Sequence, residues 1–145
     1  MSSGGTIYAA GSRQNQSLYV RAKGTGTVKV KQEDWKQIEP PGANFVNGWK
    51  NANAAFFKDG LGIVHFRGLV FKDGGVGARE DIFNLPDEYK CAIEARYIVP
   101  WSNSNNRGYG YLDISNGVKV TLGGNPPASH ILVHLDGVTF PASSP

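Results

Sequence analysis

Apolar residues in this chain recur at every second position within short runs, and no run holds the three-and-four spacing that an amphipathic helix requires. The clearest case is Ile63 to Phe71, where Val64, Phe66 and Gly68 share one parity and Ile63, His65, Arg67 and Leu69 share the other. Each run ends at residues that turn the chain. Asp59-Gly60 follows Ala54 to Lys58, and a glycine-rich stretch spans Lys72 to Gly77. Pro86-Asp87 closes a short edge over Asp81 to Leu85, and Asp136-Gly137 parts His130 to Leu135 from Val138 to Phe140. Cys91 to Val99 alternates as well. Tyr109 to Ile114 and Val118 to Leu122 flank Asn116-Gly117, the strongest short hairpin signal in the chain. Gly68 inside a strand predicts a bulge or a close backbone approach. Many short strands with frequent turns predict an all-β chain, with an antiparallel β-sandwich of jelly-roll type over residues 41–145.

The residues before this region behave differently. Thr6 to Ala9, Ser17 to Ala22 and Thr27 to Lys31 read as short strands, with a turn at Gly24-Thr25-Gly26. Leu18 and Val20 share one face of their strand, and Val28 and Val30 share one face of theirs. Two or three such strands are marginal in water and need a partner surface. Other copies of the same segment would supply it, so Leu18, Val20, Val28 and Val30 are the expected trimerisation residues of a homotrimer. Gln32 to Ile38 reads as a helical turn or a last polar strand. Glu39-Pro40-Pro41-Gly42 then imposes an extended connector. The expected division is a shaft or attachment segment over 1–40 and a head over 41–145.

Composition removes several function classes. Hydrophobic residues make up 40% and charged residues 19%, enough apolar material to build a core rather than a disordered chain. The net charge of +3 comes from scattered residues, not the concentrated basic face of a nucleic-acid binder. No apolar run approaches the roughly 20 residues of a membrane helix. No signal peptide is read at the N-terminus, so synthesis in a cytoplasm is expected. Cys91, the single cysteine, lies in an apolar-flanked run and reads as a buried, inert thiol.

Catalytic chemistry finds no foothold. His130 and His134 are four apart, but at strand rise their Cβ atoms stand about 13 Å from each other, too far to share one ion. Asp81, Glu94, Asp113 and Asp136 show no acid–base pairing signature. Gly74-Gly75-Val76-Gly77 lacks the lysine and helix of a phosphate loop. No catalytic residue, metal ligand or cofactor is assigned.

The stretch from Trp101 to Tyr111 has the Trp, Tyr, Ser, Asn, Gly and Arg content of a binding loop. The expected ligand contacts are Trp101, Asn105, Asn106, Arg107, Tyr109 and Tyr111. A sugar ring would stack on Trp101 or Tyr109 while Asn105, Asn106 and Arg107 bond its hydroxyls. The alternative is a long hairpin loop whose rings pack on the domain or on a neighbouring subunit.

Two parts of the sequence also resemble a known family. Ser17-Leu18-Tyr19-Val20-Arg21-Ala22-Lys23-Gly24-Thr25-Gly26-Thr27-Val28-Lys29-Val30 is similar to a module of phage tail and virion fibres. Phe45-Val46-Asn47-Gly48-Trp49, Phe56 to Gly62, Val64 to Val70 and Ile82-Phe83-Asn84-Leu85-Pro86 resemble the C-terminal head domain of phage tail proteins and fibres, and Leu135 to Phe140 resembles that domain's last strand. Family heads carry a basic residue and a proline after the Leu-Pro element, whereas Asp87-Glu88-Tyr89-Lys90-Cys91 follows here. The resemblance implies a trimeric, non-enzymatic protein on the virion surface, joined to other phage virion proteins through its N-terminal segment. It would bind a host cell-surface glycan, with no nucleic acid and no membrane insertion. A capsid decoration or head-fibre protein is the alternative that the short N-terminal segment favours. A carbohydrate-binding module is a further one.

Overall fold

The turns and alternating runs become strands in the computed structural model, which describes residues 24–26, 32–40, 42–115, 117–126 and 130–143. The chain divides into two compact units, Met1–Val30 and Lys31–Pro145. In the first, Gly24 and Thr25 form a turn, as expected. Leu18, Val20, Val28 and Val30 lie outside the described residues.

Among the described residues of the second unit, ten strands form one antiparallel sheet: β1 (Lys36–Gln37), β2 (Asn44–Phe45), β3 (Lys50–Lys58), β4 (Ile63–Lys72), β5 (Arg79–Asn84), β6 (Ala95–Ser102), β7 (Arg107–Ile114), β8 (Lys119–Gly123), β9 (Ile131–His134) and β10 (Thr139–Pro141). One 3-10 turn, Asp87–Tyr89, follows Pro86. The all-β expectation holds. The sheet order is β1-β3-β4-β9-β6-β7-β8-β5-β2, with β10 branching off β4. The expected antiparallel sandwich is thus built from one curled sheet, whose two halves are joined where β9 bonds to β4 on one side and to β6 on the other.

This sheet curls so far that its ends approach. β1 and β2 are the two ends of the order, yet only residues 38–43 join them. Ile38 and Ala43 at the ends of that connector are both fully buried, and the Ala43 amide donates to the Glu39 carbonyl at 3.1 Å. The expected boundary at Pro40-Pro41 consequently falls inside the folded unit. Lys36 and Gln37 pair with Phe56 and Ala55, and Ile38 belongs to the core. Residues 32–40 are held because the sheet edge at β3 still offers unpaired backbone groups and the core still has room for one aliphatic side chain. β5, expected as an edge, is instead covered by β2.

The regular ladder is interrupted around Gly68. On one side of β4 the register with β3 shifts at Ala52 and Asn53, which both oppose Leu69. On the other side, residues 135–138 bulge away between β9 and β10, both of which pair with β4. The Asp136 carboxylate accepts the Gly68 amide at 2.9 Å, and the Leu135 amide donates to the Gly68 carbonyl at 2.9 Å. Gly68 has φ +83, a conformation that glycine adopts without steric cost. The bulge predicted at this glycine is thus built on both flanks of its strand.

The core fills the concave side. Phe56, Val64, Phe66, Val70, Ile131, Val133 and Phe140 come from one half of the sheet, and Val99, Leu112, Ile114, Val120, Leu122 and Phe83 from the other. Cys91 is fully buried beside it, and burial pushes its thiol pKa above the ordinary value. Burial at this scale, about 25 cal/mol per Å² of apolar surface, is the main favourable contribution to a fold of this size.

Candidate functional site

Strand parity decides where each candidate side chain goes. The stretch from Trp101 to Tyr111, expected as a loop, is the end of the β6–β7 hairpin, and only residues 103–106 lie outside its strands. Asn103 organises that tip. Its carboxamide oxygen accepts the amides of Asn105 at 3.0 Å and Asn106 at 2.7 Å, and its own amide donates to the Asn106 carbonyl. Asn105, Asn106 and Arg107 are exposed.

The aromatic candidates separate. Trp101 shares the concave side with Val99 and packs against the core. Its indole occupies the space that a side chain at Gly108 would need. Tyr109 and Tyr111 lie on the opposite, outer face. Tyr111 is half-buried: its ring fills the space left by Gly123 on β8, and the Arg96 guanidinium covers it 4.2 Å from the ring centroid. Tyr109 is 74% exposed and free to be touched. The structure therefore brings Arg107 and Tyr109 together on one outer face and packs Trp101 against the core, from where it still borders a cleft that Tyr109 also lines.

On that face, register aligns pairs that the linear sequence hides. Arg96 stands opposite Asp113, Ile98 opposite Tyr111, Pro100 opposite Tyr109 and Ser102 opposite Arg107. Arg96 grips Asp113 with two hydrogen bonds, Nε to Oδ1 at 2.6 Å and Nη2 to Oδ2 at 3.0 Å. Arg79 reaches the same carboxylate from β5 at 3.3 Å. Donating these bonds to Asp113 raises the Arg96 pKa above its ordinary value. The polar row continues across β8: Thr121 stands opposite Asp113 and donates to Asp81 at 2.7 Å, and Lys119 pairs with Asp81 at 3.2 Å.

Two clefts open at the two ends of the hairpin. One, of about 490 Å³, is lined by Arg79, Glu94, Arg96, Asp113 and Ser115 among others. The other, of about 460 Å³, is lined by Pro100, Trp101, Ser102, Arg107, Tyr109 and His134 among others. Arg79, Arg96 and Ile98 were not singled out in the sequence. For Arg96 and Ile98 the signal is their even parity on β6, legible only once the hairpin register is known, while Arg79 joins them from β5 through Asp113.

The histidines lie apart. His65 stacks on Phe57 with centroids 4.7 Å apart, and its Nε2 lies 2.8 Å from Asp59 Oδ2. His130 approaches Asp73 at 3.6 Å. Among the described residues, no group of three or more His, Cys, Asp or Glu is placed to hold a metal ion, and no helix is long and apolar enough to cross a membrane. No protein family matches this chain, and no curated protein matches it either.

Proposed function

We propose that this chain is a non-enzymatic structural protein of a bacteriophage particle, a trimeric surface fibre whose β unit attaches to a host-surface glycan through the β6–β7 hairpin. One observation carries the reading. Four of the five separate segments that resemble phage fibre heads meet at the core, each through one phenylalanine. Phe45 contacts Phe83 at 5.9 Å, Phe83 contacts Phe66 at 5.6 Å, and Phe66 contacts Phe140 at 5.4 Å, all edge to face. Segments that converge on one aromatic chain are a coherent packing unit rather than scattered likenesses. The exposed Tyr109 beside Arg107, on a hairpin end tied by Asn103, supports attachment as the role of that surface.

The test is to label the protein on intact particles and image where the label falls, with light scattering on the purified protein alongside. Label on tail or capsid surface and a mass three times the 15.6 kDa chain are expected. Absence from the particle, or a stable monomer, overturns the reading. The same image separates tail from capsid.

A further inference from the structure

The two clefts open at the two ends of one hairpin, and between them the side chains of its outer face form a continuous strip. From one end it runs Arg96 and Asp113, then Ile98 and Tyr111, then Pro100 and Tyr109, then Ser102 and Arg107. The distance from Arg96 to Ser102 at strand rise is about 20 Å. We propose that this strip is a track for a linear, uncharged oligosaccharide lying along β6 and β7, anchored in the cleft of Arg79, Glu94, Arg96 and Asp113. The proposal rests on the reading of this unit as a binding head and adds the ligand's chemistry and length.

Three features select that ligand. First, the anchoring cleft is charge-balanced, two guanidiniums against the carboxylates of Asp113 and Glu94. A strongly acidic or basic ligand meets repulsion from one pair, whereas hydroxyls can both donate and accept. Arg96 is held in place by its bidentate bond to Asp113 and by the Tyr111 ring beneath it, so its remaining donors are pre-organised. Second, the middle of the strip is apolar and open: Ile98 is 78% exposed and Tyr109 is 74% exposed. A sugar ring has C–H faces that cover such groups and hydroxyl edges that reach polar neighbours. Third, β6 and β7 pair along their whole length. Their shared face has no free backbone ladder, so an extended peptide would find no strand to join there.

The experiment uses the purified full chain and an array of linear neutral hexose oligosaccharides of graded length, with uronic-acid oligosaccharides beside them. Affinity for the neutral series should rise with length and level off once the strip is filled. Tyr109→Ala and Arg79→Ala, both at exposed positions, should each weaken binding by about tenfold or more at unchanged melting temperature. No binding across the neutral series overturns the proposal, as does a preference for the uronic acids. A change of molecular mass in Ile98→Ser overturns it too, because the strip would then be a contact between copies. These readouts come from isolated protein, so they stand apart from whether the protein lies on a particle.

Discussion

The carbonyl oxygen of Asn53 occupies the space that a Cβ on Gly68 would need. Both residues have positive φ, 82 and 83, and the Asn53 side chain accepts the Leu69 amide at 3.1 Å. Gly68→Ala therefore meets a steric clash and an unfavourable backbone conformation at once. We expect a loss of more than about 1–3 kcal/mol in denaturant unfolding. A stability equal to that of the natural chain would show that this close approach does not constrain the fold.

Phe83 touches Phe45 and Phe66 and is fully buried. Phe83→Ala should cost about 3–5 kcal/mol, and Phe83→Leu distinctly less, because the smaller cavity leaves most of the packing in place. Chemical denaturation with both variants measures the difference.

Truncation tests where the folded unit begins. Removal of residues 1–30 should leave it folded, since the compact unit starts at Lys31. Removal of residues 1–40 also strips Ile38 from the core and takes Glu33 and Lys36 from the buried Tyr89, whose hydroxyl donates to Glu33 Oε2 at 2.5 Å. Burial of one isoleucine contributes about 1.5–3 kcal/mol, and an orphaned hydroxyl costs about 1–3 kcal/mol. The longer truncation should melt well below the shorter one.

Trp101→Ala should lower stability by up to about 3–5 kcal/mol, because the indole packs on the core side of the hairpin. The indole Nε1 is buried and has no hydrogen-bond partner among the described residues. Trp101→Phe should therefore be milder than Trp101→Ala. Thermal melts of the two variants check the order.

Acid should unfold the protein partly through Glu80. Burial alone raises its pKa. Hydrogen bonds from Lys72, the Gly77 amide and Trp49, with the Lys72 charge, outweigh that and leave it below the ordinary 4.5. A carboxylate with a depressed folded pKa contributes stability above its unfolded pKa, and that contribution is lost as pH falls through the folded value. Melting temperature should thus drop as pH enters the carboxylate range. Glu80→Gln should flatten that drop, and an unchanged slope would remove Glu80 from the explanation.

Strand identity was legible in the chain because side-chain alternation is a local property. β4, the β7–β8 hairpin and the turn at Asp59 all follow from residues within a few positions of one another. The candidate site was only partly legible. Arg107 and Tyr109 were picked out by residue type, but Trp101 was grouped with them although one position's difference in parity sends it to the other face. Arg79, Arg96 and Asp113 went unpaired because they lie on three strands and meet only through register.

What the amino-acid order determined alone is an all-β chain with its turns in place and its apolar positions marked. What the tertiary structure decided is that the strands form one curled sheet, that Lys36 and Gln37 add a strand at one end of it while Ile38 enters its core, and that a cleft opens at each end of one hairpin. The physical reason is the range of the interactions. Alternation and turn chemistry act between neighbours along the chain, whereas curl and pairing depend on which distant strand satisfies each backbone edge and fills the core.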